Sequence, residues 1–286
     1  HIVEGDLPLA APGVVPGHEV VGIVDALGPE TYRFALGDRI GIAWLGSTCR
    51  TCRFCVAGKE NLCLAPVFTG YHRDGGYADY AVADEDYAYR IPGSFDDEHA
   101  APLLCAGIIG YRAYRKTGLP VGGRLGIYGF GGSAHIATQV AQFEGTRVFV
   151  MTRSTKAREL AVRLGADYTG GYDRPPPEPL DAAILFAPDG ALVPVALRAL
   201  DRGGTLAVAG IHLSAILSLD YQEDLFFERR LVSVTANTRT DGEELMDLAA
   251  RIPIEVETTP FPLDEADRAL AAMAQGRLSG AAVLIA

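Results

Sequence analysis

The rhythm of apolar and polar positions changes near residue 107. Before it, short apolar runs at residues 20–26, 39–43 and 77–82 are broken by Gly, Pro and Asp, which predicts short strands in an irregular β-rich unit. After it, apolar runs alternate with stretches of helical texture. Residues 125–128 precede a glycine turn and the stretch 133–143; residues 148–151 precede 156–164; residues 182–186 precede 192–200; runs at 205–209 and 231–234 follow. Such alternation predicts right-handed crossovers and a parallel, doubly wound α/β sheet. The proline-rich stretch 175–179 reads as a stiff loop between two of these units. The last fifty or so residues hold two helical stretches, 243–250 and 265–274, and a strand-like run at 281–285.

The chain has 286 residues, room for two domains, and 49% of them are hydrophobic, enough for a sizeable core. A net charge of −11 argues against nucleic acid or an anionic membrane as partner. With no long apolar run and no signal-peptide pattern, a cytoplasmic location is expected.

Four of the five cysteines fall in the segment GSTCRTCRFCVAGKENLC, as Cys49-x2-Cys52-x2-Cys55-x7-Cys63. Overlapping Cys-x-x-Cys steps bring three thiolates to one point from a tight loop and the fourth closes a tetrahedron, the arrangement of an all-sulfur structural Zn²⁺ site. Such a closed site braces a loop and does no chemistry, so the chemistry lies elsewhere.

Gly129-Phe130-Gly131-Gly132-Ser133-Ala134 follows a predicted strand and opens a predicted helix, the context of a dinucleotide-binding loop. Gly129 permits the tight turn, Gly131 and Gly132 let backbone approach a pyrophosphate, Ser133 starts the helix whose N-terminus faces the phosphates, and Ala134 allows close helix–sheet packing. An NAD site places a carboxylate at the end of the second strand. Here that end reads Met151-Thr152-Arg153-Ser154-Thr155-Lys156. The Thr152 hydroxyl with Arg153 and Lys156 suits a 2′-phosphate, so NADP(H) is expected in preference to NAD(H).

His18 and Glu19 lie in Pro16-Gly17-His18-Glu19-Val20-Val21-Gly22, and Cys105 lies in Leu103-Leu104-Cys105-Ala106-Gly107, where the α/β part begins. An imidazole and a thiolate at a domain junction beside a nicotinamide site point to a second, catalytic zinc with an open position. On the segments Gly17-His18-Glu19-x2-Gly22-x5-Gly28, the four-cysteine lobe, Asp74-Gly75-Gly76-Tyr77-Ala78, Leu104-Cys105-Ala106-Gly107 and the glycine loop, the chain resembles a zinc-dependent alcohol dehydrogenase of the medium-chain dehydrogenase/reductase family.

The resemblance implies a GroES-like catalytic domain with the zinc lobe over residues 1–106, a Rossmann domain over 107–237, and a segment 238–286 that returns to the catalytic domain. It implies His18 and Cys105 as catalytic zinc ligands, Glu19 as a neighbour able to exchange with water, and His1 as the proton-relay histidine. Trp44 resembles a pocket-lining tryptophan of a branch favouring small primary alcohols. The implied reaction interconverts a primary alcohol and its aldehyde with NADP(H) or NAD(H), in a homodimer or homotetramer. A zinc-independent reductase of the same fold, or a dinucleotide-binding form that has lost chemistry, is the alternative. The chain departs from the family at Thr31 and at Gly280-Ala281-Ala282-Val283, where many members carry Gly-Arg-x-Val. The family's leading zinc cysteine would fall five residues before His1, outside this sequence, so residues 1–286 alone are expected to hold catalytic zinc weakly and to turn over at a trace rate.

Overall fold

The computed structural model describes every residue except His1, Ile2, Glu4, Asp6, Ala11 and Ser279. It divides into two compact units, one of residues His1–Ile108 and Ala236–Ala286, the other of Ile109–Thr235.

In the first unit, β1 (Val20–Ile23) pairs antiparallel with β2 (Arg39–Ile42). Next, β3 (Leu45–Ser47) pairs antiparallel with β4 (Val67–Phe68), and between them the chain makes a long excursion containing the short helix α1 (Arg53–Val56) and a 3₁₀ turn at Glu60–Leu62. This excursion is the four-cysteine lobe. The third strand of the first sheet, β5 (Ala88–Arg90), lies antiparallel along the other side of β2. The helical turn α2 (Asp97–Ala100) runs into a 3₁₀ turn at Ala101–Leu104, where Leu103 and Leu104 are fully buried. Gly41 lets this turn close on the sheet, because a Cβ there would come 2.5 Å from Leu104 Cδ2.

One expected strand is absent. Residues 77–82 form bends and irregular backbone. The preceding N–H groups of Gly75, Gly76 and Tyr77 donate to the carbonyls of Val15, Gly17 and Pro16. Tyr77 packs on Gly17, but Tyr80 and Val82 are left 77% and 80% exposed, and among the described residues the run pairs with no strand.

Helix α3 (Ala106–Thr117) leads to the second unit's sheet, built from β6 (Arg124–Tyr128), α4 (Gly132–Phe143), β7 (Arg147–Met151), α5 (Thr155–Arg163), β8 (Tyr168–Gly170), β9 (Leu180–Leu185), α6 (Leu192–Ala199), β10 (Leu200–Val208) and β11 (Arg230–Ser233). The strands are all parallel in the order β11-β10-β9-β6-β7-β8. This is the order of the dinucleotide-binding doubly wound sheet, with the topological switch point between β6 and β9. Its centre is apolar on both faces: Leu125, Ile127, Val148, Val150, Ala183 and Ile184 have no exposed surface.

The chain then rejoins the first unit through α7 (Arg239–Ala249). A capping box starts this helix: Asp241 N–H donates to Thr238 Oγ1 at 3.2 Å, and Thr238 N–H donates to Asp241 Oδ2 at 2.7 Å. β12 (Thr258–Pro262), α8 (Ala266–Ala274) and β13 (Ala281–Ile285) follow, with β12 and β13 parallel. Among the described residues no helix is long and apolar enough to cross a membrane.

Candidate active site

His18 and Glu19 directly precede β1, and glycine packing holds the loop that carries them. Gly17 has φ +96° and lies under the Tyr77 ring. A Cβ on Gly70 would come 2.7 Å from the Gly17 carbonyl oxygen, and Gly75 has no room at all for a side chain against the same oxygen. Gly76 N–H donates to Gly17 O at 3.0 Å and Tyr77 N–H to Pro16 O at 3.0 Å, while Asp74 Oδ1 accepts the Val15 N–H at 2.9 Å. The Asp74-Gly75-Gly76-Tyr77 segment is thus the clasp that aims His18.

Cys105 joins the 3₁₀ turn to α3. Its Sγ lies 3.2 Å from His18 Nε2, and the Ala106 N–H donates to Glu19 Oε1 at 3.3 Å. One donor atom from each of His18, Glu19 and Cys105 falls within 4.8 Å of the others. Burial sets their proton state. It pulls the His18 imidazole down to about 4, so the ring is neutral at pH 7, the form that ligates metal. It pushes the Glu19 carboxyl up to about 7, against the opposing hydrogen bonds from Ala106 N–H and the Cys105 thiol. Burial, reinforced by the Glu19 charge, also drives the Cys105 thiol upward. Three convergent donors of mixed N, O and S type suit a divalent cation of zinc's borderline softness, whose binding would expel the protons that burial favours on Glu19 and Cys105.

Trp44 stands beside this trio. Its indole meets the His18 ring edge-on, 4.9 Å between centroids. The β3–β4 pairing extends through the Thr69 N–H to Trp44 O bond of 2.9 Å, which brings Phe68 against the indole at 4.7 Å and 10°, with Tyr71 at 6.0 Å. His72 stacks on Phe68 and accepts the Phe68 N–H through Nδ1 at 3.0 Å. Phe68 and Tyr71 were not among the residues singled out from sequence; only the hairpin register brings them to Trp44.

In the lobe, the sulfurs of Cys49, Cys52, Cys55 and Cys63 lie within 4.8 Å of one another. The Cys63–Cys49, Cys52–Cys55 and Cys49–Cys55 separations are 3.5, 3.6 and 3.9 Å. A tetrahedron with Zn–S bonds of about 2.3 Å has edges of about 3.8 Å, so the four sulfurs fit that ion. Backbone N–H groups of Cys49, Cys52 and Ala65 point at Cys63, Cys49 and Cys63 sulfurs, each at 3.4 Å. The Cys52 N–H, followed by that of Thr51 and the Cys63 thiol, holds the Cys49 thiol down to about 6, whereas burial pushes Cys55 up to about 11.

In the second unit, Gly129 ends β6 at the switch point with φ +87°, and a Cβ there would come 2.7 Å from Ala187 N. Gly131 caps α4, and a Cβ on it would meet nothing within 4 Å, leaving the open backbone face a pyrophosphate needs. Ala134 is fully buried. At the end of β7, Thr152 is buried and its N–H donates to Gly170 O at 2.8 Å. The Arg153 guanidinium sits 5.9 Å over the Tyr172 ring, and Lys156 is exposed in the first turn of α5. Among the described residues neither cation takes part in an ion pair. Arg158, not singled out from sequence, reaches back one turn: Nη1 donates to Thr152 O at 2.9 Å and Nη2 to Thr155 Oγ1 at 3.1 Å. His1, assigned the proton relay from sequence, lies outside the described residues.

Residues 1–93 match the alcohol dehydrogenase GroES-like domain family. The chain is 53% identical over its whole length to the Probable alcohol dehydrogenase AdhA of Mycobacterium tuberculosis (strain CDC 1551 / Oshkosh), spanning 84% of that protein. It is 34% identical to an alcohol dehydrogenase of Geobacillus stearothermophilus, over 99% of this chain and 86% of that one. Among solved structures it is similar to CAD from Helicobacter pylori complexed with NADP(H), with a TM-score of 0.86, 25% identity, and coverage of 96% of this chain and 82% of that one. With the GroES-like match, the six-stranded dinucleotide-binding sheet and relatives of this identity along its length, the chain belongs to the alcohol dehydrogenases of the medium-chain dehydrogenase/reductase family.

Proposed function

We propose that this alcohol dehydrogenase interconverts primary alcohols and aldehydes by hydride exchange with NADP(H), using zinc held by His18, Cys105 and Glu19. The observation that carries the reading is the convergence of these three donors beside Trp44. When bound there, zinc supplies a Lewis acid that polarises the substrate oxygen. The protein's own residues do the rest. His18 is kept neutral by burial and offers Nε2. Glu19, whose Oε1 accepts the Ala106 N–H, offers a carboxylate oxygen beside the His18 and Cys105 donors. The braced indole of Trp44 narrows the approach to His18 and favours an unbranched carbinol carbon. His1 carries the last proton step in this reading, by resemblance alone.

Arg153 and Lys156, which among the described residues take part in no ion pair, support with the α5 N-terminus the 2′-phosphate of NADP(H) over the ribose hydroxyl of NAD(H). The lobe cysteines hold a second zinc with a bracing role.

The test is NADP⁺ reduction with a series of primary alcohols, with zinc measured on the same samples. His18→Ala and Cys105→Ser should each lower turnover and the zinc held at this trio, while the lobe keeps its own. Undiminished turnover in Cys105→Ser would overturn the reading.

A further inference from the structure

Glu60 belongs to the lobe by sequence, between its third and fourth cysteines, yet its carboxylate serves α7. It is 6% exposed, and its Oε1 accepts the Arg239 backbone N–H at 2.8 Å and lies 3.4 Å from Arg239 Nε. Arg239 is the first residue of an 11-residue helix, so the carboxylate satisfies an orphan donor at the positive end of the helix dipole. A second thread runs alongside. The Arg239 guanidinium lies 5.5 Å over the Tyr87 ring, the Tyr87 hydroxyl pairs with Thr48 Oγ1 at 2.6 Å, and Cys55 Sγ is 3.5 Å from that same oxygen.

Further along, α7 presses on the Cys105 turn. Leu245 is fully buried, and a Cβ on Gly107 would come 2.9 Å from its Cδ2. Gly107 lies two residues beyond Cys105. Gly242, one turn earlier, seats the helix on Tyr89: a Cβ there would come 2.5 Å from the Tyr89 Cζ. Lobe, Glu60, α7 and Cys105 therefore form one unbroken series of close contacts within the first unit.

We propose that Glu60 is a positioning residue that transmits the folded state of the four-cysteine lobe through α7 to Cys105. Loss of metal from the lobe displaces the Glu60 carboxylate, frees the α7 N-terminus, and loosens the seat of Leu245 on Gly107. The role of Cys105 rests on the function proposed above, but the coupling itself is measured without turnover.

The experiment uses the full chain and reads three quantities: hydrogen exchange of peptides covering 239–249 and 103–108, the rate of Cys105 alkylation located by mass spectrometry, and zinc content. Glu60→Ala removes a charge-assisted hydrogen bond and should speed α7 exchange and Cys105 alkylation by at least about tenfold while the lobe keeps its zinc. Glu60→Gln keeps an oxygen acceptor and should stay within about twofold of the parent. Cys63→Ser should mimic Glu60→Ala, and combining the two should add little more. Unchanged α7 exchange in Glu60→Ala, or undiminished Cys63→Ser effects on that background, would overturn the coupling. If Cys63→Ser does not fold, the Ala and Gln pair at 60 decides alone. A chain inactive toward alcohols with the coupling intact would refute the proposed function and leave this inference standing.

Discussion

The Trp44 indole meets the His18 imidazole edge-on at 4.9 Å while lying flat against Phe68 at 4.7 Å, so Phe68 braces the ring that stands beside the candidate metal donors. Stacked aromatic pairs add about 0.5–1.5 kcal/mol beyond their burial, which favours this orientation over others. Truncating that wall should widen the site. Trp44→Ala is expected to raise KM for small primary alcohols and to raise the relative kcat/KM for branched or secondary alcohols by roughly 10- to 100-fold, the scale of hydrophobic-pocket discrimination. Phe68→Leu should shift the same ratio in the same direction by less. The check is a kcat/KM series over ethanol, benzyl alcohol, 2-propanol and cyclohexanol; an unchanged ratio in Trp44→Ala removes the indole from the substrate pocket.

The clasp beneath His18 is a stability device with a chemical consequence. Gly75 lies flush on the Gly17 carbonyl, which itself accepts the Gly76 N–H at 3.0 Å. Gly75→Ala must push the two segments apart and should cost about 1–3 kcal/mol in urea unfolding, the range for overpacking. Gly58→Ala provides the contrast: its φ is +66° but a Cβ there meets nothing within 4 Å, so only the backbone penalty of about 1 kcal/mol applies. Gly75→Ala should also reduce zinc retention at His18, whereas Gly58→Ala should not. Equal costs for the two substitutions would mean that the clasp yields freely.

Local codes were readable before folding, and contacts set by tertiary register were not. The β6 to β11 alternation shows in sequence because a parallel sheet covered on both faces demands continuous apolar strands, as in Leu180–Leu185, where five of six residues are buried. The cysteine steps and the glycine loop are likewise written within a few residues. The run at 77–82 misled because alternation says what a strand would bury and not whether a neighbour exists to pair with it. Phe68 and Tyr71 join Trp44 only through the β3–β4 register, and Arg158 reaches Thr152 only once α5 has wound a turn. Glu60 carries no local signal of its role, since its partner at Arg239 is 179 residues away.

Metal binding at the lobe should depend on pH with a definite sign. Four thiolates are needed, and binding expels whatever protons the thiols still carry. Cys55, pushed up to about 11 by burial, carries its proton throughout the neutral range, while Cys49, held down to about 6, gains one only in mild acid. Zinc affinity should therefore rise with pH across the neutral range, by at least about tenfold per unit, and more steeply below about pH 6, where the Cys49 proton must leave as well. Competition with a chromophoric chelator between pH 5.5 and 8, on protein carrying Cys105→Ser so that the lobe is read alone, measures the slope. A flat profile would mean that Cys55 does not ionise on binding and is not a ligand.

Cofactor choice should turn on the end of β7, where among the described residues Arg153 and Lys156 take part in no ion pair and Arg158 is tied to Thr152 O and Thr155 Oγ1. An unpaired guanidinium facing a phosphate dianion gives a charge-assisted contact of about 1.5–3 kcal/mol. Arg153→Ala should accordingly weaken NADPH binding by roughly 10- to 100-fold and leave NADH nearly unchanged, because the ribose hydroxyl makes no use of that charge. Lys156→Ala should act in the same direction but less, as a point charge lacking the planar fork. Arg158→Ala should differ in kind: its anchors lie on the protein, so its loss should loosen the turn between β7 and α5 and weaken both cofactors together. Fluorescence titration of each variant with NADPH and NADH separates these patterns. Equal affinities of the unsubstituted protein for the two cofactors would refute the assignment of this strand end to the 2′-phosphate.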